Sequence, residues 1–467
     1  MLSARRLAVI LSATVGLLVT SAPAGAAGGG AYVPNEIVVG YRPAPVAAVA
    51  KAVAKQMGIR APATPAPSPG EQVLKLRRGV SVANALKQLR HEPGVAYAVP
   101  NYIAHEAGAW YPNDPGRSKQ AKGWTRAQWN FLPGVGVNAP EAWANMFAVH
   151  RPGGRGVTIA VLDTGVAYRD WHQFKKSPDF GQTRFVKPYD FVAKNKFPLD
   201  REGHGTFVTG TIAESTNNRI ALTGLAYGAS IMPVRILDAD GTGDAATISR
   251  GIRYAATHGA QVINLSLEFS LDVTSSDIPE ILSAIRFAHS RGVVVVAAAG
   301  NEGVQQLAYP ARAPQVISVG ATTRDRCLAN YSNYSNYSLP ETRLDLVAPG
   351  GGDDTSMFDS PGCHSGRALS DITQLTIFDP SNPRRFGYPS GWYGTSMSAP
   401  HVAATAALVI ASGVLGRHPT PDQVLARLEQ TAQPLGGAKP NQYYGYGLVD
   451  AGAATSRAVP PLAARGG

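Results

Sequence analysis

Three stretches of the chain are apolar almost without interruption: "VTIAVLDTG" from Val157, "QVINLSL" from Gln261 and "GVVVVAAAG" from Gly292. A strand with one wet face alternates apolar and polar residues, whereas a strand covered on both faces does not. These runs therefore predict buried strands of a parallel sheet. Between them lie "ATISRGIRYAATHG" and "DIPEILSAIRFAHSRG", whose apolar residues recur at helical spacing. Strands alternating with helices predict an α/β architecture with helices on both faces of the sheet, and such sheets carry their sites just beyond the carboxyl ends of the strands.

The first hundred residues have a different texture. "PNEIVVGY", "VLKLRR" and "VAYAVPNYIAHE" read as extended segments. "PAPVAAVAKAVAKQMGI" and "VSVANALKQLRHEPG" read as helices, and "APATPAPSPG" as a linker. Strand, helix, strand, helix, strand within 80 residues predicts a small α+β module. Ahead of it, "MLSARRLAVILSATVGLLVTSAPAGAA" pairs two arginines with a short apolar run and a small-residue ending. That is the layout of a secretory signal cleaved near Ala26 or Ala27. The expected organisation is a signal at 1–27, a module at 28–106 and a main domain at 107–467.

Composition changes this picture little. The 50 glycines and 35 prolines among 467 residues fit a globular chain with many turns. The net charge of +11 raises the question of nucleic acid, so its distribution matters. Residues 1–27 hold two basic and no acidic residues, and residues 28–106 hold nine basic and four acidic. That leaves 32 basic against 28 acidic residues in the main domain, too even a balance for a nucleic-acid surface. Outside the signal no run is long and apolar enough to predict a membrane span. Cys327 and Cys363, an even pair in a chain with an export signal, predict a disulfide, with two free buried thiols as the alternative.

Chemistry-bearing residues fall where the sheet predicts them. Asp163 ends the first apolar run, His204 opens a helical stretch in "GHGTFVTGTIA", and Ser396 opens another in "YGTSMSAPHVAA". A serine hydroxyl is inert without a base, and the base needs an orienting carboxylate. An α/β-hydrolase would need a G-x-S-x-G elbow and the order Ser, Asp, His; here Ser396 precedes Met397-Ser398 and comes last.

The motifs "HGTFVTGTIA", "AAAGNEG" and "GTSMSAPHV" resemble the subtilase (subtilisin-like serine peptidase) family, over about Asn113 to Ala454, and the preceding residues resemble its inhibitory propeptide. The resemblance implies a three-layer subtilisin-like fold with a mostly parallel central sheet. It implies Asp163, His204 and Ser396 as triad and Asn301 as oxyanion donor. Leu265, Ser266, Leu267 and Glu268 would form one wall of the first specificity pocket, and Ala298, Ala299 and Gly300 the other. Gly241, Thr242 and Gly243 resemble the segment that pairs with an extended substrate. The family usually has glycine where Glu268 stands; its carboxylate either favours basic side chains or faces solvent.

"TNNRIALTG" resembles the family's calcium loop, with an Asn218 side-chain oxygen and carbonyls of Thr216, Ile220 and Leu222 as ligands for Ca²⁺. The acidic ligand the family supplies shortly after the triad aspartate is displaced, because Asp170 in "YRDWHQF" falls two positions early. Of the two serines in "YGTSMSAPHV", Ser398 reads as a packing or capping residue. Tyr393 stands where the family commonly has a small residue, often Ser, and is expected to crowd the backbone behind the nucleophile. "NYSNYSNYS" contains three N-x-S sequons but reads as an exposed turn and strand. Residues 351–391 read as an insertion pinned by Cys363, serving as a loop, an ion site or a substrate rim. Together these features predict a secreted serine endopeptidase, monomeric, acting on proteins and peptides. It would be held inactive by its own propeptide and would bind neither nucleic acid nor, after signal removal, membrane.

Overall fold

The computed structural model describes residues 32–42, 70–76, 80–102, 109–118, 120–336, 343–356, 362–364, 370–437 and 439–459. The signal segment, the helix expected over 43–59 and the boundary near residue 106 lie outside them. The chain divides into two compact units, residues 1–106 and 107–467.

In the first unit, β1 (Tyr32–Tyr41) is the central strand of an antiparallel sheet, between β2 (Glu71–Lys75) and β3 (Val95–Tyr102). Helix α1 (Val82–Leu89) packs on it, burying Val82, Ala85 and Leu89 against Ile37, Val39 and Leu74. Ser81 caps this helix by accepting from the Asn84 N–H at 3.1 Å, a contact worth about 1 kcal/mol.

The second unit is built on β4 (Thr158–Asp163), β7 (Ser230–Arg235), β8 (Val262–Leu265), β9 (Val294–Ala298), β10 (Val316–Thr322) and β11 (Leu346–Pro349). The short β5 (Arg184–Phe185) and β6 (Tyr189–Asp190) both pair with β7. The order is β11-β10-β9-β8-β4-β7-β5, with every neighbouring pair parallel. The uninterrupted apolar runs divide between two cores. Ile159 and Val161 of β4 and Val294 and Val296 of β9 face one side, while Ala160, Leu162, Val295 and Ala297 face the other. Helices α3 (Ala245–Thr257) and α4 (Pro279–Ser290) cover the second side. The first holds α2 (His204–Ala213) and the long α5 (Thr395–Ser412), which is buried nearly all round because it runs through the middle of the domain.

The chain leaves β4 to build β7 on one side and later returns to build β8 on the other. The end of β4 is thus a topological switch point, where a crevice opens beyond the carboxyl ends. Asp163 is the last residue of β4. Among the described residues no helix is long and apolar enough to cross a membrane. Cys327 and Cys363 form a disulfide, so their approach to Asp354 offers no thiolates to a metal.

Candidate active site

Asp163 is fully buried, and its Oδ1 accepts from the Thr164 N–H (2.7 Å) and from His204 Nδ1 (2.8 Å). An ionised carboxylate only accepts, so this contact places the imidazole proton on Nδ1 and leaves Nε2 free to take another. His204 reaches Asp163 because α2 starts against the end of β4. Gly205 makes that approach feasible, since a Cβ there would lie 2.1 Å from the Gly165 carbonyl oxygen. The start of α2 is gripped by Asp200, which accepts from the N–H groups of Glu202 (3.0 Å), Gly203 (2.9 Å) and Thr206 (2.9 Å). Glu202 accepts from the His204 N–H at 2.6 Å. Carboxylates at a helix N-terminus satisfy its free donors and complement its dipole.

These acids also set the charge state of the imidazole. Its burial is the largest influence and pulls its pKa down. Asp163, through charge and hydrogen bond, and then Glu202 and Asp200 overcome that pull and raise it to about 9. The side chain keeps 20% of its surface exposed, on the cleft side.

Ser396 is the second residue of α5. It lines one cleft with His204, a cavity of about 370 Å³. Its hydroxyl donates to the Ser266 carbonyl at 3.3 Å rather than to His204. Nucleophile-to-base contacts are often loose without substrate. Pro400 lacks the N–H that would bond the Ser396 carbonyl four residues back, and the Ser266 hydroxyl fills that vacancy at 2.8 Å. The proline in "SAPHV" thus ties the end of β8 to the start of the serine's helix. Ser398 is buried and donates to the Ala348 carbonyl at 3.0 Å. His401 is buried between the Met397 carbonyl and the Asn130 amide, and burial drives its pKa down to about 4.

Asn301 follows β9. Its Oδ1 accepts from both the N–H (2.8 Å) and the hydroxyl (3.0 Å) of Thr395, which aims Nδ2 away from α5. The aimed amide donates to Glu268 Oε1 at 3.2 Å. Glu268 thus neither points only to solvent nor simply lines a pocket: it bridges to Asn301. Of the two expected pocket walls, Ser266, Leu267 and Glu268 line the cavity with His204 and Ser396, whereas Leu265 packs in the core. Ala298, Ala299 and Gly300 are buried and do not line it. Gly241, Thr242 and Gly243 line it as an exposed turn held by Asp238, which accepts from the Thr242 N–H at 3.0 Å and hydroxyl at 3.0 Å. Among the described residues no strand pairs with the segment, and it is not a regular strand.

Three further sequence expectations need correction. Residues 331–336 of "NYSNYSNYS" are not an exposed turn. Ser332, Asn333 and Ser335 are buried, and Asn333 Oδ1 accepts from the N–H groups of Glu302 (3.1 Å) and Val304 (3.2 Å). Tyr331 accepts from the Gly394 N–H (3.0 Å) and donates to the Gly351 carbonyl (2.9 Å). This tract scaffolds the segments carrying Asn301 and Ser396, and no local pattern signalled it. Tyr393 is 53% exposed and packs its ring 5.4 Å from that of Tyr331, so it does not crowd the serine's backbone.

The third correction concerns the calcium loop. Asp170 is exposed and pairs with Lys175 at 3.1 Å. The acid beside Asn218 is Asp179, whose Oδ1 accepts from the Asn218 amide (2.6 Å) and whose Oδ2 accepts from the Leu222 N–H (3.0 Å). Asp114, in "PNDP", accepts from the N–H groups of Asn217 (2.7 Å) and Asn218 (2.9 Å). Asp170 falls two positions early and lies apart from Asn218; the carboxylate that meets Asn218 is Asp179 of "SPDF", nine residues later.

The described part of the insertion covers α2. Ile372 packs with Phe207, Met397 and Trp129, and the Thr376 hydroxyl donates to the Gly203 carbonyl. Strands β12 (Thr376–Ile377) and β13 (Phe386–Gly387) form a hairpin. At the insertion's end Trp392 stacks on Phe207 at 4.6 Å, with its ring 6.0 Å from that of His204.

A parallel sheet with a buried aspartate, a histidine and a helix-start serine gathered at its switch point defines a serine hydrolase of the α/β class. The profile of the subtilase family matches residues 154–447, and that of the fervidolysin N-terminal prodomain matches residues 19–101. The chain is 32% identical over 421 residues to a thermophilic serine proteinase of Bacillus sp. (strain AK1), covering 90% of this chain and 87% of that protein. It is 35% identical to subtilisin BL of Lederbergia lenta over 312 residues, 66% of this chain and 94% of the other. A solved protease from Pseudoalteromonas arctica PAMC 21717 superposes with a TM-score of 0.58 at 28% identity, over 75% of this chain and all of that one. The chain belongs to the subtilase family and is a subtilisin-like serine peptidase with an N-terminal prodomain.

Proposed function

We propose that this peptidase is an endopeptidase using Asp163, His204 and Ser396 as a catalytic triad. The observation that carries the reading is the Asp163–His204 hydrogen bond, with Ser396 facing the same cleft. His204 Nε2 takes the Ser396 proton as Oγ attacks the peptide carbonyl. The tetrahedral oxyanion receives hydrogen bonds from Asn301 Nδ2 and the Ser396 N–H. His204 then protonates the departing amine, leaving an acyl-enzyme that water hydrolyses by the same relay. The substrate lies extended along Gly241–Gly243, and the side chain before the scissile bond enters between the segments that follow β8 and β9. The test is labelling of the matured protein by an organophosphonate that reacts with activated serines; absence of labelling at Ser396 sinks the reading.

The same proposal assigns residues 1–27 to export and 28–106 to an intramolecular inhibitor that the folded enzyme removes near residue 106. Residues 107–467 form the mature, secreted, monomeric enzyme. The prodomain match and the signal layout support it.

The raised imidazole sets the pH range. The base must be neutral to act, so kcat/KM is expected to climb with pH, reaching half its plateau near 9 and falling as pH drops below that. Glu202→Gln keeps the acceptor for the His204 N–H but removes one raising charge. Its rising limb is expected at lower pH, and a profile superimposable on wild type refutes this coupling.

Asp114 and Asp179 fit a calcium ion. Both are fully buried, and among the described residues neither has an ion-pair partner. Burial, with a further rise from Asp114, lifts Asp179 to about 8, and burial raises Asp114 too. Glu214 beside them is raised by burial and then by both aspartates. Such a concentration of buried acids calls for a cation. Asp114 and Asp179 with the carbonyls of Thr216, Ile220 and Leu222, joined by the Asn218 oxygen once its amide turns over from Asp179, make an all-oxygen donor set suited to Ca²⁺, which would cross-link three segments. Chelation is expected to lower Tm by several degrees, since calcium at a hundred times its Kd contributes about 2.7 kcal/mol. The Asp179→Ala protein should melt at one temperature with or without chelator; a chelator effect of wild-type size in that variant refutes the assignment.

A further inference from the structure

The Glu268–Asn301 hydrogen bond spans the place where the peptidase must open. β8 and β9 are neighbours, with Leu265 opposite Ala297, and the chain runs on from each toward the start of α5. After β8, Ser266 meets Ser396; after β9, the Gly300 N–H donates to the Thr395 hydroxyl at 3.2 Å. Glu268 Oε1 on Asn301 Nδ2 bridges these two segments, between which the substrate side chain of the proposed mechanism enters. Glu268 lines the cleft cavity with His204 and Ser396, whereas Ala298 to Asn301 do not.

The contact uses the one amide hydrogen-bonding group that the proposed mechanism needs for the oxyanion. Thr395 already fixes Asn301 through Oδ1, so Glu268 is not required for its aim. Substrate must displace the carboxylate, because a negative group cannot stay on the donor as negative charge develops on the substrate oxygen. The displaced carboxylate then needs a partner. Among the described residues neither Glu268 nor nearby Glu302 has a cationic one. Glu268 as a residue is exposed, and its carboxylate meets the Asn301 amide. Desolvation and then the charge of Glu302 raise its pKa. Glu202 is a second acid lining the cleft with Glu268, and among the described residues no lysine or arginine lines it.

We propose that Glu268 is a specificity-determining latch: it closes the crevice onto Asn301 in the free enzyme and yields most readily to substrates with Lys or Arg immediately before the scissile bond, whose cation takes up the displaced carboxylate. The proposal rests on the triad reading above. A serine peptidase with an uncharged crevice gains nothing from a cation there. With this latch, a charge-assisted hydrogen bond replaces the one Glu268 gives up, worth about tenfold in kcat/KM or more.

The test uses the matured enzyme and three peptide amides identical except for Arg, Lys or Leu before the reporter group. Wild type is expected to favour Arg and Lys over Leu by about tenfold in kcat/KM. Glu268→Gln preserves the shape and an acceptor for Asn301 but not the charge, and is expected to bring the ratio close to one. Glu268→Ala removes the latch altogether and is expected to raise kcat/KM for the Leu peptide as well. An Arg-to-Leu ratio unchanged in Glu268→Gln overturns the proposal, as does a wild-type enzyme that prefers Leu. If wild type cleaves none of the peptides and is not labelled by the organophosphonate, the triad reading falls and takes the latch with it. Labelled, active enzyme with an unmoved ratio removes the latch alone.

Discussion

A precursor carrying Ser396→Ala is expected to accumulate at full length, whereas the wild-type precursor is cut near residue 106. Its peptide hydrolysis should fall by a factor on the order of 10⁶, the loss known for the nucleophile of a subtilisin. The residue is small, sits at a helix start and loses only its 3.3 Å bond to the Ser266 carbonyl. The Ser266 hydroxyl bonds the backbone carbonyl of residue 396, so that tie survives the substitution. Thermal stability is therefore expected to stay close to wild type, which separates lost chemistry from lost fold. The measurements are N-terminal sequencing of both precursors and turnover of a peptide amide. Equal processing of the two forms would show that another protease removes the prodomain, and retained turnover would remove Ser396 from the mechanism.

The second large effect is expected at Asn301. Asn301→Ala should lower kcat by about 10²–10³ with a small change in KM, equivalent to roughly 2.7–4 kcal/mol of transition-state stabilisation; this magnitude is the one known for the corresponding subtilisin asparagine. The geometry explains why the cost falls on kcat. Oδ1 is held by two donors of Thr395, so Nδ2 is aimed before substrate arrives and needs no reorganisation as charge develops. The donor matters most when the carbonyl oxygen becomes an anion, which is a transition-state interaction. Loss of the acceptor for Thr395 costs some stability too, so Tm is measured alongside. A kcat within threefold of wild type would mean that Asn301 serves only to fix the start of α5.

Most of the fold was legible because it rests on local patterns. The unbroken apolar runs ending at Asp163 and Ala298 required strands covered on both faces, and the two cores divide their residues in that way. The motifs around His204, Asn301 and Ser396 were legible because a strand end and two helix starts have compact local signatures. Asp179 was not legible, because a nine-residue displacement from Asp170 is invisible until the chain between is folded. Tyr331 and Asn333 were misread because a tract of Tyr, Asn and Ser looks like surface. Their polar groups are buried only because segments distant in sequence supply partners, such as Gly351, Glu302 and Gly394.

The sequence by itself determined the parallel sheet and the place of chemistry-bearing residues, Asp163, His204 and Ser396 among them, at a strand end and at helix starts. Each of these follows from residue type and spacing within a single element. The tertiary structure alone decided which groups meet across elements: Asp200 and Glu202 on the start of α2, Asp114 with Asp179, Ser266 filling the bond that Pro400 leaves open, and Glu268 on Asn301. Hydrogen bonds and Coulomb energies depend on distances of a few ångströms, and those distances are set by how separate elements pack.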